Sequence, residues 1–192
     1  FTHDLGMLPH WLSGYQSGYP IDLTLDGFLN PIFHIFLTLL PPFTANNILI
    51  FLFFIVNGSS FYWLGRTLDR SRTGSLIGAI AYALSGFMIR FTDITGIAAV
   101  MPFIPLAFVC VFHIIRNPRP LRWAGFFFLL LTYSWIGGFA EVVVYTFAGL
   151  GIWTIYLLWQ QPTPTPRWKP LLYLVVATTL SLLVLTPWFL SV

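Results

Sequence analysis

The nine Lys and Arg residues of this 192-residue chain fall almost entirely into three clusters, and long apolar stretches run between them. Arg66, Arg70 and Arg72 form the first, Arg116, Arg119 and Arg122 the second, and Arg167 with Lys169 the third; only Arg90 lies elsewhere. Short loops rich in Arg and Lys stay on the cytoplasmic side of a membrane. The alternation therefore predicts a polytopic membrane protein in which residues around 92–96 and 137–141, and the whole of 1–44, face outward.

Composition excludes the soluble alternative: 57% of residues are hydrophobic, 8% are charged and the mean hydropathy is +0.82. A water-soluble domain of this size needs more polar surface. The net charge of +3 and pI near 9.3 do not mark a nucleic-acid binder, because the basic residues lie in loops beside apolar spans, where topology and anionic lipid headgroups account for them. No nucleic-acid partner is expected, and membrane lipids are. Cys110 is the single cysteine and sits inside an apolar run, which suits a buried structural thiol.

About 20 residues cross a hydrocarbon core, so six spans are predicted, near 46–65, 74–91, 97–115, 121–137, 139–159 and 170–187. Thr44 and Asn46 are candidate caps for the first, after Pro41-Pro42 stops the preceding segment. Trp63, Trp123, Trp159, Trp168 and Trp188 fall near span ends, where an indole prefers the headgroup layer. Residues 160–170, with prolines at 162, 164, 166 and 170, make a stiff cytoplasmic connector. The small-residue series Gly74, Gly78, Ala79, Ala83 and Gly86, together with Gly125, predicts close helix packing. Asn57-Gly58-Ser59 fits a glycosylation pattern but lies mid-span, so a polar contact between helices is expected there instead.

The chain divides into an extracytoplasmic loop over 1–44 and a transmembrane helical bundle over 45–192. The loop carries Asp4, Asp22 and Asp26, three of the six acidic residues, with His3, His10 and His34. Leu29–Leu40 is apolar but short and begins Asn30-Pro31, which suits an interfacial or re-entrant juxtamembrane helix. The fold class is all-α.

Ionisable groups at membrane depth mark functional sites, and the outward side collects Arg90, Asp93 and Glu141. A carboxylate there can act as general base toward an acceptor hydroxyl, and a guanidinium can hold a phosphate in a two-point grip. Arg90 and Asp93, three apart at a helix end, equally suit a local ion pair. Glu141 follows Gly137-Gly138, where a carboxylate also complements a helix start. Asp22 and Asp26 suit turns or caps as well. The histidines lack HxxxH or HExxH spacing, so no metal ligation is expected, and no cofactor can be named.

Leu8-Pro9-His10-Trp11, Ser17-Gly18-Tyr19-Pro20 and Leu25-Asp26-Gly27-Phe28-Leu29-Asn30-Pro31 occur in an order that resembles the first outer loop of YfhO-type bacterial membrane proteins, related to GT-C glycosyltransferases. The resemblance continues through Phe61-Tyr62-Trp63-Leu64-Gly65-Arg66-Thr67-Leu68, Gly78–Phe87, and Gly137-Gly138-Phe139-Ala140-Glu141 with Tyr145, over roughly 140 residues. It implies a GT-C fold in the bacterial plasma membrane, a polyprenyl-phosphate sugar donor and a catalytic base in the first outer loop. Asp4, or Asp26, is the expected base; Arg90, Glu141, Asp93 and His10 are the expected substrate-binding groups. The leading helix of that fold is missing before Phe1, so the chain is expected to be part of a longer protein. The competing expectation is a transporter or lipid flippase whose charges line a substrate path.

Overall fold

The computed structural model describes residues 11–12, 19–20, 31–90, 97, 100–117, 119–137, 140–160 and 168–190. Among the described residues the fold is helical apart from one antiparallel pair of two-residue strands, β1 (Trp11–Leu12) and β2 (Tyr19–Pro20), with Trp11 opposite Pro20. The helices are α1 (Pro31–Leu39), α2 (Pro42–Thr67), α3 (Arg72–Ala83), α4 (Gly86–Arg90), α5 (Phe103–Arg116), α6 (Pro120–Gly137), α7 (Ala140–Trp159) and α8 (Trp168–Leu190).

Among the described residues, three helical stretches are long and apolar enough to cross a membrane: Phe43–Thr67, Arg72–Arg90 and Val142–Trp159. Their outer surfaces agree with that role. Phe51, Ile77 and Ile155 are each more than 60% exposed, and many other large apolar side chains point outward with them. Water does not tolerate so much contiguous apolar surface on a monomer, whereas lipid does. Several threonine hydroxyls inside the helices are satisfied within their own helix: Thr146 donates to the Val142 carbonyl and Thr154 to the Leu150 carbonyl, both at 2.7 Å. That pairing needs neither water nor a neighbouring helix.

Helix α1 covers most of Leu29–Leu40, and the chain breaks at Leu40-Pro41. The Leu40 N–H still closes α1 on the Phe36 carbonyl at 2.9 Å. Phe36 then packs on Leu49 and Phe53 of α2, so α1 folds back along the next helix instead of leading into it. Its nine residues cover only about 14 Å, half of what a crossing requires. The expected caps at Thr44 and Asn46 are not used. Pro42 itself opens α2, with no side-chain cap bond, because a proline at the first helical position lacks only a donor that would be unpaired there anyway.

The α2–α3 hairpin turns on a tight cap. Asp69 adopts φ 57°, the Asp69 N–H donates to the Arg66 carbonyl and the Arg70 N–H to the Gly65 carbonyl. This is a Schellman arrangement with aspartate in the left-handed position. Ser71 follows and accepts from the Gly74 N–H at 3.0 Å, starting α3. Small residues let the two helices close. A Cβ on Gly65 would lie 2.7–3.2 Å from Ser75, and one on Gly78 would lie 2.9 Å from the Phe61 ring. Ala79 and Ala83 are buried on the same side. Three members of the expected small-residue series do not serve packing: Gly74 meets only the Ser71 hydroxyl, and Gly86 and Gly125 have nothing within 4 Å.

Helix α5 is the centre. It touches α2, α6, α7 and α8, and its Cys110, Val111 and Ile114 join Phe127 and Leu131 of α6, Leu157 of α7 and Ala177 of α8 in one core. A helix apolar on every face is buried on every face. At 14 residues α5 is shorter than the span expected over 97–115, since Pro102 and Pro105 fall at its start. The second expected span is also interrupted: α3 ends at Ala83, and Ser85 caps α4 by accepting from the Met88 N–H at 3.3 Å.

Candidate functional site

The first two basic clusters meet at one end of the bundle. The turn after α2 carrying Arg70, the α5 terminus at Arg116 and the α7 terminus at Gln160 line a common groove, and Arg116 donates to the Gln160 side-chain oxygen at 3.5 Å. Aromatic rings mark the same level. Trp123 stacks on His113 at 4.1 Å and meets Trp63 at 6.0 Å.

From this end the α3–α4 stretch runs 19 residues to Arg90, at most about 28 Å given its break at Leu84 and Ser85. Helix α7, read backward, runs 20 residues to its start at Ala140, about 30 Å. Both lengths match the thickness of a hydrocarbon core. The far ends of the two helices also pack on one apolar cluster: Met88, Ile97 and Met101 are buried together, with Phe54, Ile104 and Val142 against them. Met88 is two residues before Arg90 and Val142 is the residue after Glu141. The backbone positions of Arg90 and Glu141 thus flank a shared cluster, a full helix length from the basic end.

Helix α2 is longer, with 26 residues and about 39 Å. Its first turns, with α1 packed on them through Phe36, extend past the level of Phe54 and Met88. Helix α1 is thus anchored at the same end as Arg90. Tyr82 steadies the region by donating to the Met101 carbonyl at 2.9 Å while its ring stacks on Phe61 at 4.9 Å.

Of the expected site residues, Arg90 is exposed at the last position of α4 and Glu141 is the second residue of α7. Asp4, His10, Asp26 and Asp93 lie outside the described residues, as does Asp22. Among the described residues no group of His, Cys, Asp and Glu could hold a metal ion. Asn57 differs from expectation. It is fully buried, yet neither its amide nitrogen nor its oxygen has a hydrogen-bond partner among the described residues, so the polar contact between helices expected there is not made with them.

Two features went unread in the sequence because they arise only when helices pair. An apolar groove of about 520 Å³ runs between α2 and α3, with Phe54 and Leu84 at one end and Tyr62 and Leu76 at the other. Gly58 and Ser59 keep its α2 wall low. Arg90 lies six residues beyond Leu84 in the chain, at the end of α4, and is not one of the groove's lining residues. The second feature is the basic-end groove, where residues 46 positions apart in the chain, Arg70 and Arg116, come to one cavity. Compared with known proteins, the chain matches no family model, no curated protein and no solved structure.

Proposed function

We propose that this chain is the catalytic module of a GT-C-like integral membrane glycosyltransferase with six spans in the bacterial plasma membrane. It moves a sugar from a polyprenyl-phosphate donor to an acceptor on the outer face. The observation that carries this reading is the α2–α3 groove: a largely apolar channel lined by Phe54, Tyr62, Leu76 and Leu84, with Ser59 in one wall, and an exposed cation, Arg90, six residues beyond Leu84 in the chain. A prenyl chain seated in that channel would bring its phosphate to a guanidinium. Phosphate held by a two-point grip in a low-dielectric layer is stabilised as a leaving group.

Asp4, or Asp26, takes the acceptor hydroxyl proton as general base, and the hydroxyl oxygen attacks the sugar carbon as the carbon–phosphate oxygen bond breaks. Glu141, Asp93 and His10 bind the polar parts of donor and acceptor. The test is sugar transfer from a polyprenyl-phosphate donor by reconstituted full-length protein, with donor binding followed separately. Arg90→Ala lowers turnover about a hundredfold or more, and Arg90→Lys falls well short of restoring it, since lysine keeps the charge but loses the fork. The base variant to Asn abolishes turnover and leaves donor binding intact. Full activity in Arg90→Ala removes the catalytic reading.

A further inference from the structure

We infer that the basic end of the bundle holds a dedicated site for one anionic phospholipid. A groove of about 600 Å³ opens there, with α5 as its floor and the post-α2 turn and α7 as its walls. Its two ends differ in chemistry. Asp69, Arg70, Arg116 and Gln160 form the head, while Phe108, Gly149, Ile152 and Trp153 line the depth.

The head is built to hold its cations in place. The Schellman turn at Asp69 fixes the Arg70 backbone, and the Arg66 guanidinium donates to the Arg70 carbonyl. Arg116 lies 5.0 Å over the Phe112 ring and donates to Gln160, whose amide nitrogen is 2.6 Å from the Tyr156 hydroxyl. Two guanidiniums face one carboxylate among the lining residues, so the head is net positive, with Arg66 and Arg72 adding to its field. Trp153 lines the groove, and its buried indole N–H has no partner among the described residues.

The depth has the length of an acyl chain. From Arg116 to Phe108 is eight residues of α5, about 12 Å, and from Gln160 to Gly149 eleven residues of α7, about 16 Å. Half of a hydrocarbon core is about 15 Å. Gly149 closes the inner end, where an added Cβ would lie 3.3 Å from the Phe108 ring. A free phosphate would use the head and leave the apolar walls bare. A zwitterionic lipid would fill the walls and bring its own ammonium to two guanidiniums. An anionic phospholipid satisfies both halves. The site is a helix length from the outward site, and its test is independent of the transferase reading.

The experiment is native mass spectrometry of the full-length protein released from nanodiscs of phosphatidylcholine with added phosphatidylglycerol, counting retained lipid. Wild type keeps one phosphatidylglycerol in preference to phosphatidylcholine. The double variant Arg70→Ala/Arg116→Ala, altered only at exposed positions, weakens retention about tenfold or more. Ile152→Trp, which narrows the groove from its lipid face without touching charge, also weakens it, and millimolar inorganic phosphate does not displace the lipid. Equal retention of both lipids, undiminished retention in the double variant, or displacement by phosphate would overturn the inference.

Discussion

Adding one methyl group at Gly65 should destabilise the protein, while the same addition at Gly125 should stabilise it. Both glycines lie inside helices, and replacing a mid-helix glycine by alanine gains about 0.5–1 kcal/mol in backbone entropy. At Gly125 nothing lies within 4 Å of the new Cβ, so the gain is kept. At Gly65 the new Cβ lies 2.7 Å from the Ser75 Oγ, 3.0 Å from its Cβ and 3.2 Å from its Cα. The hydroxyl can rotate away, but the Cβ and Cα cannot, and the cap at Leu68–Ser71 ties the helices together only a few residues on. Overpacking of that kind costs about 1–3 kcal/mol, which leaves Gly65→Ala about 1 kcal/mol less stable than wild type. Adding Ser75→Gly removes the two nearest atoms and should recover most of the loss, a coupling that a double-mutant cycle measures. Reversible unfolding in detergent micelles, followed by far-ultraviolet circular dichroism, reads all five proteins: wild type, Gly125→Ala, Gly65→Ala, Ser75→Gly and the Gly65→Ala/Ser75→Gly double variant. Gly65→Ala at or above wild-type stability, or no rescue by Ser75→Gly, would refute the close approach of α2 and α3.

Asp69→Val should lower stability by about 1–2 kcal/mol, because a β-branched residue resists the left-handed backbone; Asp69→Gly should not, and equal losses in the two would show that the cap does not need positive φ. Asn57→Leu should raise stability by about 1 kcal/mol by removing a buried amide with no partner, measured in the same unfolding assay. A large loss there would reveal a partner for Asn57 beyond the described residues. Ser71→Ala should cost about 1 kcal/mol by uncapping α3, and a neutral result would argue against the Ser71–Gly74 bond.

Most helix ends were legible in the sequence to within a few residues, because apolar length, proline and basic clusters mark them; the start of α5, six residues later than expected, and the break between α3 and α4 were not. Which helix lies at the centre was not. In lipid, core-facing and lipid-facing residues are both apolar, so Val175 and Val176, outward on α8, look no different from Ala177 beside them in the core. Small residues carry some of the missing information, as Gly65, Gly78 and Ala83 do at the α2–α3 seam. The same spacing also picked out Gly74, Gly86 and Gly125, which pack against no helix. Arg90 and Glu141 stood out because charge is rare at membrane depth, and their positions beside one apolar cluster add geometry to that signal. Arg70 and Arg116 did not, because a basic residue in a short loop is fully explained by topology until the fold brings two such loops together.

The outward site and the lipid groove both rest on one claim, that the two ends of the bundle face opposite sides of a membrane. Single cysteines at Thr38 on α1 and at Thr73 at the start of α3, both exposed positions, test it directly, since the native Cys110 is buried. In intact cells an impermeant maleimide should label Thr38→Cys and leave Thr73→Cys unmodified, and permeabilisation should expose the second. Labelling of both in intact cells, or of Thr73→Cys alone, would contradict the arrangement.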